Sequence, residues 1–365
     1  MIDTLVGRSI WDEDVPTPLV YVDRRALERN LQRMAEAARQ SGVALRPHAK
    51  THKIAEVAKL QLDAGAIGLT VAKLGEALAL AEAGVETSFM VAQPYVGPTK
   101  VRQQLELSET CEVIACVDSV DLAGAMIGLD LVLIVDTGYG RLGVAAGEAV
   151  DRAEEIATLP GVRFRGIRSH TGHAYEVISE DARRKIAFED ARVLSELATS
   201  IRSRGLPCEI VSVGSTPGTT GLASATAFQG VTEWRPGNYA FFDRMQLSIG
   251  TATVEDCAVR VVCSVVSAAR PGHAVIDAGK KTLTSTLDPY SSGHGLALGR
   301  PNLEIHTLSE ECGWVRHDGD LQVGDRLQVI PNHACELTNL VDVVAYGVDD
   351  TIQGLWRPVA RGKVW

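Results

Sequence analysis

No stretch of this chain approaches the roughly 18 consecutive apolar residues that a membrane-spanning helix needs, so no membrane partner is expected. The amino terminus, MIDTLVGRSIWDEDVPTP, is acidic and lacks the apolar core of a secretory signal. A basic excess is missing as well. The 36 Lys+Arg face 46 Asp+Glu, a formal charge of −10, whereas nucleic-acid partners call for a basic stripe. Cysteine is sparse and unpaired in pattern: Cys111, Cys116, Cys208, Cys257, Cys263, Cys312 and Cys335 are odd in number and form no C-x-x-C. Such usage fits a reducing compartment, and the cytoplasm is expected. What remains is an ordinary globular composition, 45% hydrophobic and 22% charged, across 365 residues.

Repeats and low-complexity tracts are absent too, but short β-branched runs alternate with longer Ala/Leu-rich amphipathic stretches. That pattern predicts βα units around a parallel sheet. Strands are predicted at 43–46, 67–71, 88–92, 112–116, 131–135, 163–168, 208–213 and 231–235, with helices at 54–64, 74–83, 98–107 and 181–204. Eight such units match a (β/α)8 barrel, and no G-x-G-x-x-G opens the first one as a dinucleotide-binding sheet would require. After about Gly250 short alternating runs separated by Gly, Pro and Asp predict a mostly antiparallel β domain, to which LVYVD near the start can pair. The expected division is a barrel over 25–248 and a β domain from 1–24 plus 249–365.

Barrel enzymes carry their chemistry at the carboxyl ends of the strands. The first strand runs into Arg46-Pro47-His48-Ala49-Lys50-Thr51-His52-Lys53, and a lysine there can be desolvated and freed to form a Schiff base. Taken alone, the cluster more often marks a solvated basic turn at the start of a helix. The fifth strand leads into Asp136-Thr137-Gly138-Tyr139-Gly140-Arg141, and the sixth into Ser169-His170-Thr171-Gly172-His173. The seventh ends in Gly214-Ser215-Thr216-Pro217-Gly218-Thr219-Thr220, and the eighth in Arg235-Pro236-Gly237-Asn238-Tyr239. These last two are loops whose backbone N–H groups suit an anion, at the place where barrels bind phosphate. Activatable lysine, arginine, imidazoles and two phosphate cradles together point to pyridoxal phosphate. Arg46, Lys50, Lys53, Arg141 and Arg235 are expected to line the mouth that receives it.

In the β domain, Pro331-Asn332-His333-Ala334-Cys335 offers an imidazole and a thiolate two residues apart. On a strand both project from one face and can hold one divalent ion, zinc being favoured and manganese or magnesium remaining open. For a bare H-x-C, taken alone, a buried histidine beside a small apolar cysteine is the more common reading.

TPLVYVDRRALERNLQRMAEAA, RPHAKTHK, VDTGYGRLGV, GSTP, RPGNYAFFD and PNHAC, in this order over nearly the whole chain, resemble the metal-dependent fold-type III pyridoxal phosphate enzymes, the family of D-serine dehydratase and D-threonine aldolase, distantly related to alanine racemase. The resemblance implies an alanine-racemase-like barrel in which Lys50 is the Schiff-base lysine. By the same resemblance Gly214, Ser215, Thr216, Gly237, Asn238 and Tyr239 bind the phosphate, and His333 and Cys335 bind the metal. Arg141 would lie near the cofactor's phenolic oxygen and His173 against or beside its ring, with His48 and Arg235 counted among the cofactor's surroundings. It also implies a homodimer with each barrel mouth facing its partner's β domain.

Dehydratases of this family carry H-x-C and G-S-T-P, as here, whereas its aldolases often carry H-x-D and a triple-glycine loop. The expected reaction is loss of water from a D-3-hydroxy-α-amino acid, giving a 2-oxo acid and ammonia, with Lys50, His173 and Arg141 as the catalytic residues. Retro-aldol cleavage to glycine and an aldehyde is the alternative, with His173 as a candidate base. A metal-independent racemase ranks third. One departure stands out: Glu310-Glu311-Cys312-Gly313 replaces the family's usual E-E-H-G or Q-E-H-G.

Overall fold

The computed structural model describes residues 2–219 and 229–365. Thr220, the last residue of the loop quoted after the seventh strand, lies outside them. In chain order the strands are β1 (Leu19–Asp23), β2 (Ala44–Leu45), β3 (Leu69–Val71), β4 (Phe89–Val91), β5 (Val113–Val117), β6 (Asp130–Asp136), β7 (Val144–Ala145), β8 (Arg163–Arg168), β9 (Ile210–Val213) and β10 (Glu233–Trp234). They continue with β11 (Val259–Arg270), β12 (His273–Ile276), β13 (Leu296–Ala297), β14 (Glu304–Leu308), β15 (Gly313–Arg316), β16 (Arg326–Ile330), β17 (Val344–Val348) and β18 (Thr351–Trp356).

Strands β2-β10-β9-β8-β6-β5-β4-β3 form one parallel path, and β7 pairs only with β6. The path closes on itself. His48 bridges Thr70 in parallel, the Ile67 N–H reaches the Leu45 carbonyl at 2.9 Å, and the Thr70 N–H reaches the Pro47 carbonyl at 2.8 Å. This is the expected eight-stranded barrel, with the first and last strands shorter than their sequence runs. Every residue of β3, β4, β5 and β9 is buried, as parallel strands covered on both faces require. Met90, Ile114, Cys116, Val132, Ile134 and Ile210 make one apolar cluster. Ile114 with Cys116, and Val132 with Ile134, are two apart and therefore share a strand face. Gly166 sits at a register shift between β6 and β8 with φ +148°, where an added Cβ would meet the Ile210 carbonyl oxygen at 2.0 Å. Only glycine fits that bulge.

The intervening helices follow their sequence signals. Ala55–Asp63, Leu74–Glu82, Pro98–Leu107 and Glu180–Ser203 fall on the four expected stretches. The longest begins at Ser179, whose hydroxyl accepts the Ala182 N–H at 3.4 Å, with Glu180 and Asp181 in the first turn complementing the helix dipole.

The second sheet runs β14-β15-β12-β11-β1-β17-β18, with β13 and β16 attached through β11. All its pairings are antiparallel except one: β1 lies antiparallel to β11 and parallel to β17. The opening strand thus belongs to this sheet, as LVYVD suggested. Its core gathers Leu5, Ile10, Val15, Tyr21, Val262, Ala345 and Ile352. Strands β13 and β15, two and four residues long, are too short for a period to be read, and in β18 Gly354 interrupts an otherwise alternating run. The chain separates into two compact units: Met1–Leu31 with Thr51–Glu56 and Asn238–Gly362, and Gln32–Lys50 with Val57–Gly237 and Lys363–Trp365. No helix among the described residues is long and apolar enough to cross a membrane.

Candidate active site

The barrel unit holds a cationic mouth. Lys50 is half-buried in a short helical turn after β2, and its N–H points toward the His48 Nδ1 at 3.4 Å. His48 and His170 are both held well below the ordinary imidazole range, first by burial and then by the charges of Lys50, Arg235 and Arg168. They are neutral at pH 7. Arg235 is pushed down to about 9, by burial first and then by Arg168. Its Nε donates to the Ser212 hydroxyl at 2.7 Å and its Nη2 to the Ser169 carbonyl. The buried Nε of Arg168, at the end of β8, has no hydrogen-bond partner among the described residues. Cations that suppress one another in a buried mouth call for an anion, and pyridoxal phosphate supplies one.

The loops that would cradle its phosphate interlock. The Thr171 and Ser215 hydroxyls lie 3.0 Å apart, the His170 Nδ1 is 3.3 Å from the Gly214 carbonyl, and the Gly237 N–H donates to the Thr216 hydroxyl at 3.3 Å. Gly218 packs so tightly here that a Cβ would sit 2.5 Å from the Thr171 hydroxyl. After β6, the Asp136 carboxylate accepts the N–H groups of Gly138, Tyr139 and Gly140 at 2.9 to 3.1 Å. That nest shapes the turn carrying Tyr139 and Arg141. The Arg141 guanidinium lies 5.0 Å from the Tyr139 ring centroid, and the His173 ring stacks with the same phenol at a centroid distance of 6.4 Å. His173 Nδ1 is buried with no hydrogen-bond partner among the described residues.

Two basic residues expected at the mouth are elsewhere. Arg46 points to the opposite end of the barrel, where its Nε meets Glu233 at 2.9 Å and its Nη1 donates to Ser88, the residue before β4. Its charge is consumed by that buried pair. Lys53 is buried at φ +55° in the other unit, and its Nζ donates to the Ala360 carbonyl at 3.3 Å.

In the second unit His333 and Cys335 do come together, although not on a strand. His333 caps a short helix, Ala334–Leu337, and Cys335 lies in its first turn. The helix forms because the fully buried Asp243 carboxylate accepts the Ala334 N–H at 2.9 Å. The same Oδ2 lies 3.0 Å from His333 Nδ1 and also accepts from the Asn238 side-chain amide. Asp243 thereby leaves the His333 Nε2 as the nitrogen for a metal, the carboxylate–histidine arrangement of many metal sites. Burial works against charge on His333, but Cys335 and Asp243 together hold it well above the ordinary range. The Thr51 hydroxyl lies 3.1 Å from Cys335 Sγ. A soft thiolate and an imidazole, each with an outer partner, suit a borderline divalent ion. Among the described residues no group of three or more His, Cys, Asp or Glu side chains gathers for a metal.

Sequence reasoning passed over Thr51, Arg168 and Asp243. Thr51 and Asp243 stand inside RPHAKTHK and RPGNYAFFD, and Arg168 closes a barrel strand, the position from which such folds present functional groups.

A closed parallel barrel with a lysine at its mouth, joined in the chain to a mostly antiparallel β domain, defines the alanine-racemase-like architecture. Residues 22–245 match the family described as alanine racemase, N-terminal domain, and residues 258–346 the putative serine dehydratase domain. D-threonine aldolase of Arthrobacter sp is 31% identical over 95% of this chain and 93% of its own length. D-threo-3-hydroxyaspartate dehydratase of Delftia sp. (strain HT23) is 34% identical over 87% of this chain and 90% of its own. A solved cysteine-to-alanine mutant of D-threo-3-hydroxyaspartate dehydratase, in the metal-free form, superposes with TM-score 0.88 at 30% identity, covering 96% of this chain and 99% of that one. The chain belongs to the fold-type III pyridoxal phosphate lyases with an alanine-racemase-like barrel.

Proposed function

We propose that this enzyme is a pyridoxal phosphate- and zinc-dependent dehydratase of D-3-hydroxy-α-amino acids, converting them to a 2-oxo acid and ammonia. The observation that carries the reading is the His333/Cys335 pair with Asp243 and Thr51 behind it. Hydroxide is a poor leaving group, and a thiolate–imidazole site is suited to the ion that assists it. The similarity to the D-threo-3-hydroxyaspartate dehydratase supports the same choice.

Lys50 would hold the cofactor, with Gly214, Ser215, Thr216, Gly237, Asn238 and Tyr239 around its phosphate and His48, Arg141, His173 and Arg235 around the remainder. Bound there, the cofactor supplies an electron sink at the substrate α-carbon, and the metal supplies a Lewis acid for the 3-hydroxyl. The chain's own groups do the rest. The Lys50 amine takes the α-proton, while neutral His48 and His170 leave the positive charge of the mouth to lysine and arginine, which attract the carboxylate of the substrate. The partner is a homodimer's second subunit, as the family resemblance implies.

Retro-aldol cleavage is the second reading, favoured by one observation: His173 Nδ1 is buried with no hydrogen-bond partner among the described residues, which leaves the substrate hydroxyl as a candidate partner for it. A panel of D-serine, D-threonine, D-phenylserine and D-3-hydroxyaspartate, assayed on zinc-loaded enzyme for both product types, separates the two. Ammonia and a 2-oxo acid are expected; glycine and an aldehyde without 2-oxo acid would replace the dehydratase by the aldolase.

A further inference from the structure

We propose that Asp243 couples the metal pair to the cofactor's phosphate loop, so that each group binds more tightly when the other is present. The inference rests on the reading above, in which Asn238 borders the phosphate and His333 and Cys335 hold the metal. One oxygen, Asp243 Oδ2, meets the Asn238 side-chain amide, His333 Nδ1 at 3.0 Å and the Ala334 N–H at 2.9 Å. Its partner Oδ1 accepts the Gln246 N–H at 3.1 Å and caps the following helical turn. The carboxylate is fully buried, so no water competes for these contacts.

The backbone is bent to put it there. The Phe241 and Phe242 N–H groups both return to the Asn238 carbonyl, at 3.0 and 2.8 Å, and Phe242 adopts φ +47°, a left-handed conformation that a bulky aromatic residue avoids. Strain of this kind persists only where the surroundings over-determine it. Here the Arg244 and Met245 N–H groups reach the Pro331 and Asn332 carbonyls at 3.0 and 3.2 Å, stapling this turn to the segment that carries His333. On the other side of the pair, Thr51, the residue after Lys50, bonds to Cys335 and accepts the Thr338 hydroxyl at its carbonyl.

Fixing either end fixes the other. A cation on His333 makes the ring N–H a stronger donor to Asp243 and so holds the carboxylate toward Asn238. A phosphate that orders the backbone from Asn238 onward holds Asp243 ready for His333. By linkage the two affinities must change by the same factor.

The test uses the full chain stripped of both groups. Pyridoxal phosphate is titrated by absorbance with and without zinc, and zinc by calorimetry with and without pyridoxal phosphate. Wild type should show both affinities rising by the same factor, about fivefold or more. Asp243→Asn keeps the shape, but its one amide oxygen can serve either the Gln246 cap or the three donors on the other side, and the NH2 group that takes the remaining place cannot accept from them; its coupling factor should fall to about one. Equal affinities with and without the second ligand in wild type, or full coupling in Asp243→Asn, would overturn the proposal while leaving the site reading intact. Failure of wild type to bind one ligand at all would overturn the site reading, and the coupling with it. Should the variant not fold, the wild-type linkage alone decides.

Discussion

The hydroxyl of Thr51 lies 3.1 Å from Cys335 Sγ, which places the residue after the candidate Schiff-base lysine directly behind the candidate metal thiolate. A thiolate that accepts an O–H is a steadier ligand, and outer partners of this kind are worth about 10–100-fold in metal affinity. Thr51→Val is therefore expected to weaken zinc binding by about that factor, and Thr51→Ser to restore most of it. Equilibrium dialysis against zinc measures both; unchanged affinity in the valine variant would show that the contact is idle.

Asp190 ties two functional loops together from the long helix. Its carboxylate accepts the Thr137 hydroxyl at 2.5 Å and the Ser169 hydroxyl at 2.9 Å, and Ser169 in turn accepts from Arg235 at its carbonyl. Asp190→Ala leaves both hydroxyls without their acceptor, at a cost of about 1–3 kcal/mol each if they stay buried. Urea unfolding should show a loss of about 2–6 kcal/mol if both stay buried, and pyridoxal phosphate should bind more weakly, because the turns bearing Arg141 and His173 lose their common anchor. A destabilised variant with unchanged cofactor affinity would confine Asp190 to a structural role.

Arg46 and Glu233, 2.9 Å apart, have side chains only 5% and 3% exposed. Removing one partner strands a buried charge, so Arg46→Ala should lose about 3–5 kcal/mol. Replacing both by apolar residues, Arg46→Met with Glu233→Leu, should recover most of the loss. A double variant as unstable as the single one would mean that the pair, with its bonds to Ser88 and Ser212, specifies the barrel base in a way that packing cannot.

The depressed imidazoles give the stability a pH dependence. His48 and His170 titrate well below the ordinary value in the folded protein, while in the unfolded chain they titrate near 6.5. As pH falls below about 6.5 the unfolded state takes up protons that the folded state refuses, so stability falls with pH, by up to about 1.4 kcal/mol per pH unit for each imidazole. Asp190 acts in the opposite sense at lower pH. Burial raises its carboxyl despite the two hydroxyl bonds, so its contribution is lost as pH rises through the folded value. Urea midpoints of the cofactor-free protein between pH 7.5 and 5.5 should decline, and His48→Asn should flatten the slope. A level profile would contradict the neutral assignment.

The barrel was legible because most of its strands fall in buried runs rich in β-branched residues, such as Val113–Val117 and Asp130–Asp136, that alternate with helices of different period, a contrast that survives in sequence. The mouth was legible in part. Strand ends announce Lys50, Arg141, His173 and Arg235, but sequence position alone does not say which way a side chain turns. Arg46 stands four residues before Lys50 and points to the other end of the barrel, drawn there by Glu233. The H-x-C pair was found for a reason the structure replaces: strand periodicity suggested it, whereas an N-cap and the first turn of a short helix produce it. Asp243 lies 90 residues from His333, and no periodicity spans that separation.

Every chemical role proposed for the chain passes through the Lys50 amine. Reducing the pyridoxal phosphate-loaded protein with borohydride, digesting it and mapping the pyridoxyl mass by tandem mass spectrometry tests this directly. The label is expected on Lys50 and on no other lysine. Label on Lys53 or spread over surface lysines, with Lys50 unmodified, would contradict the site and the lyase chemistry built on it.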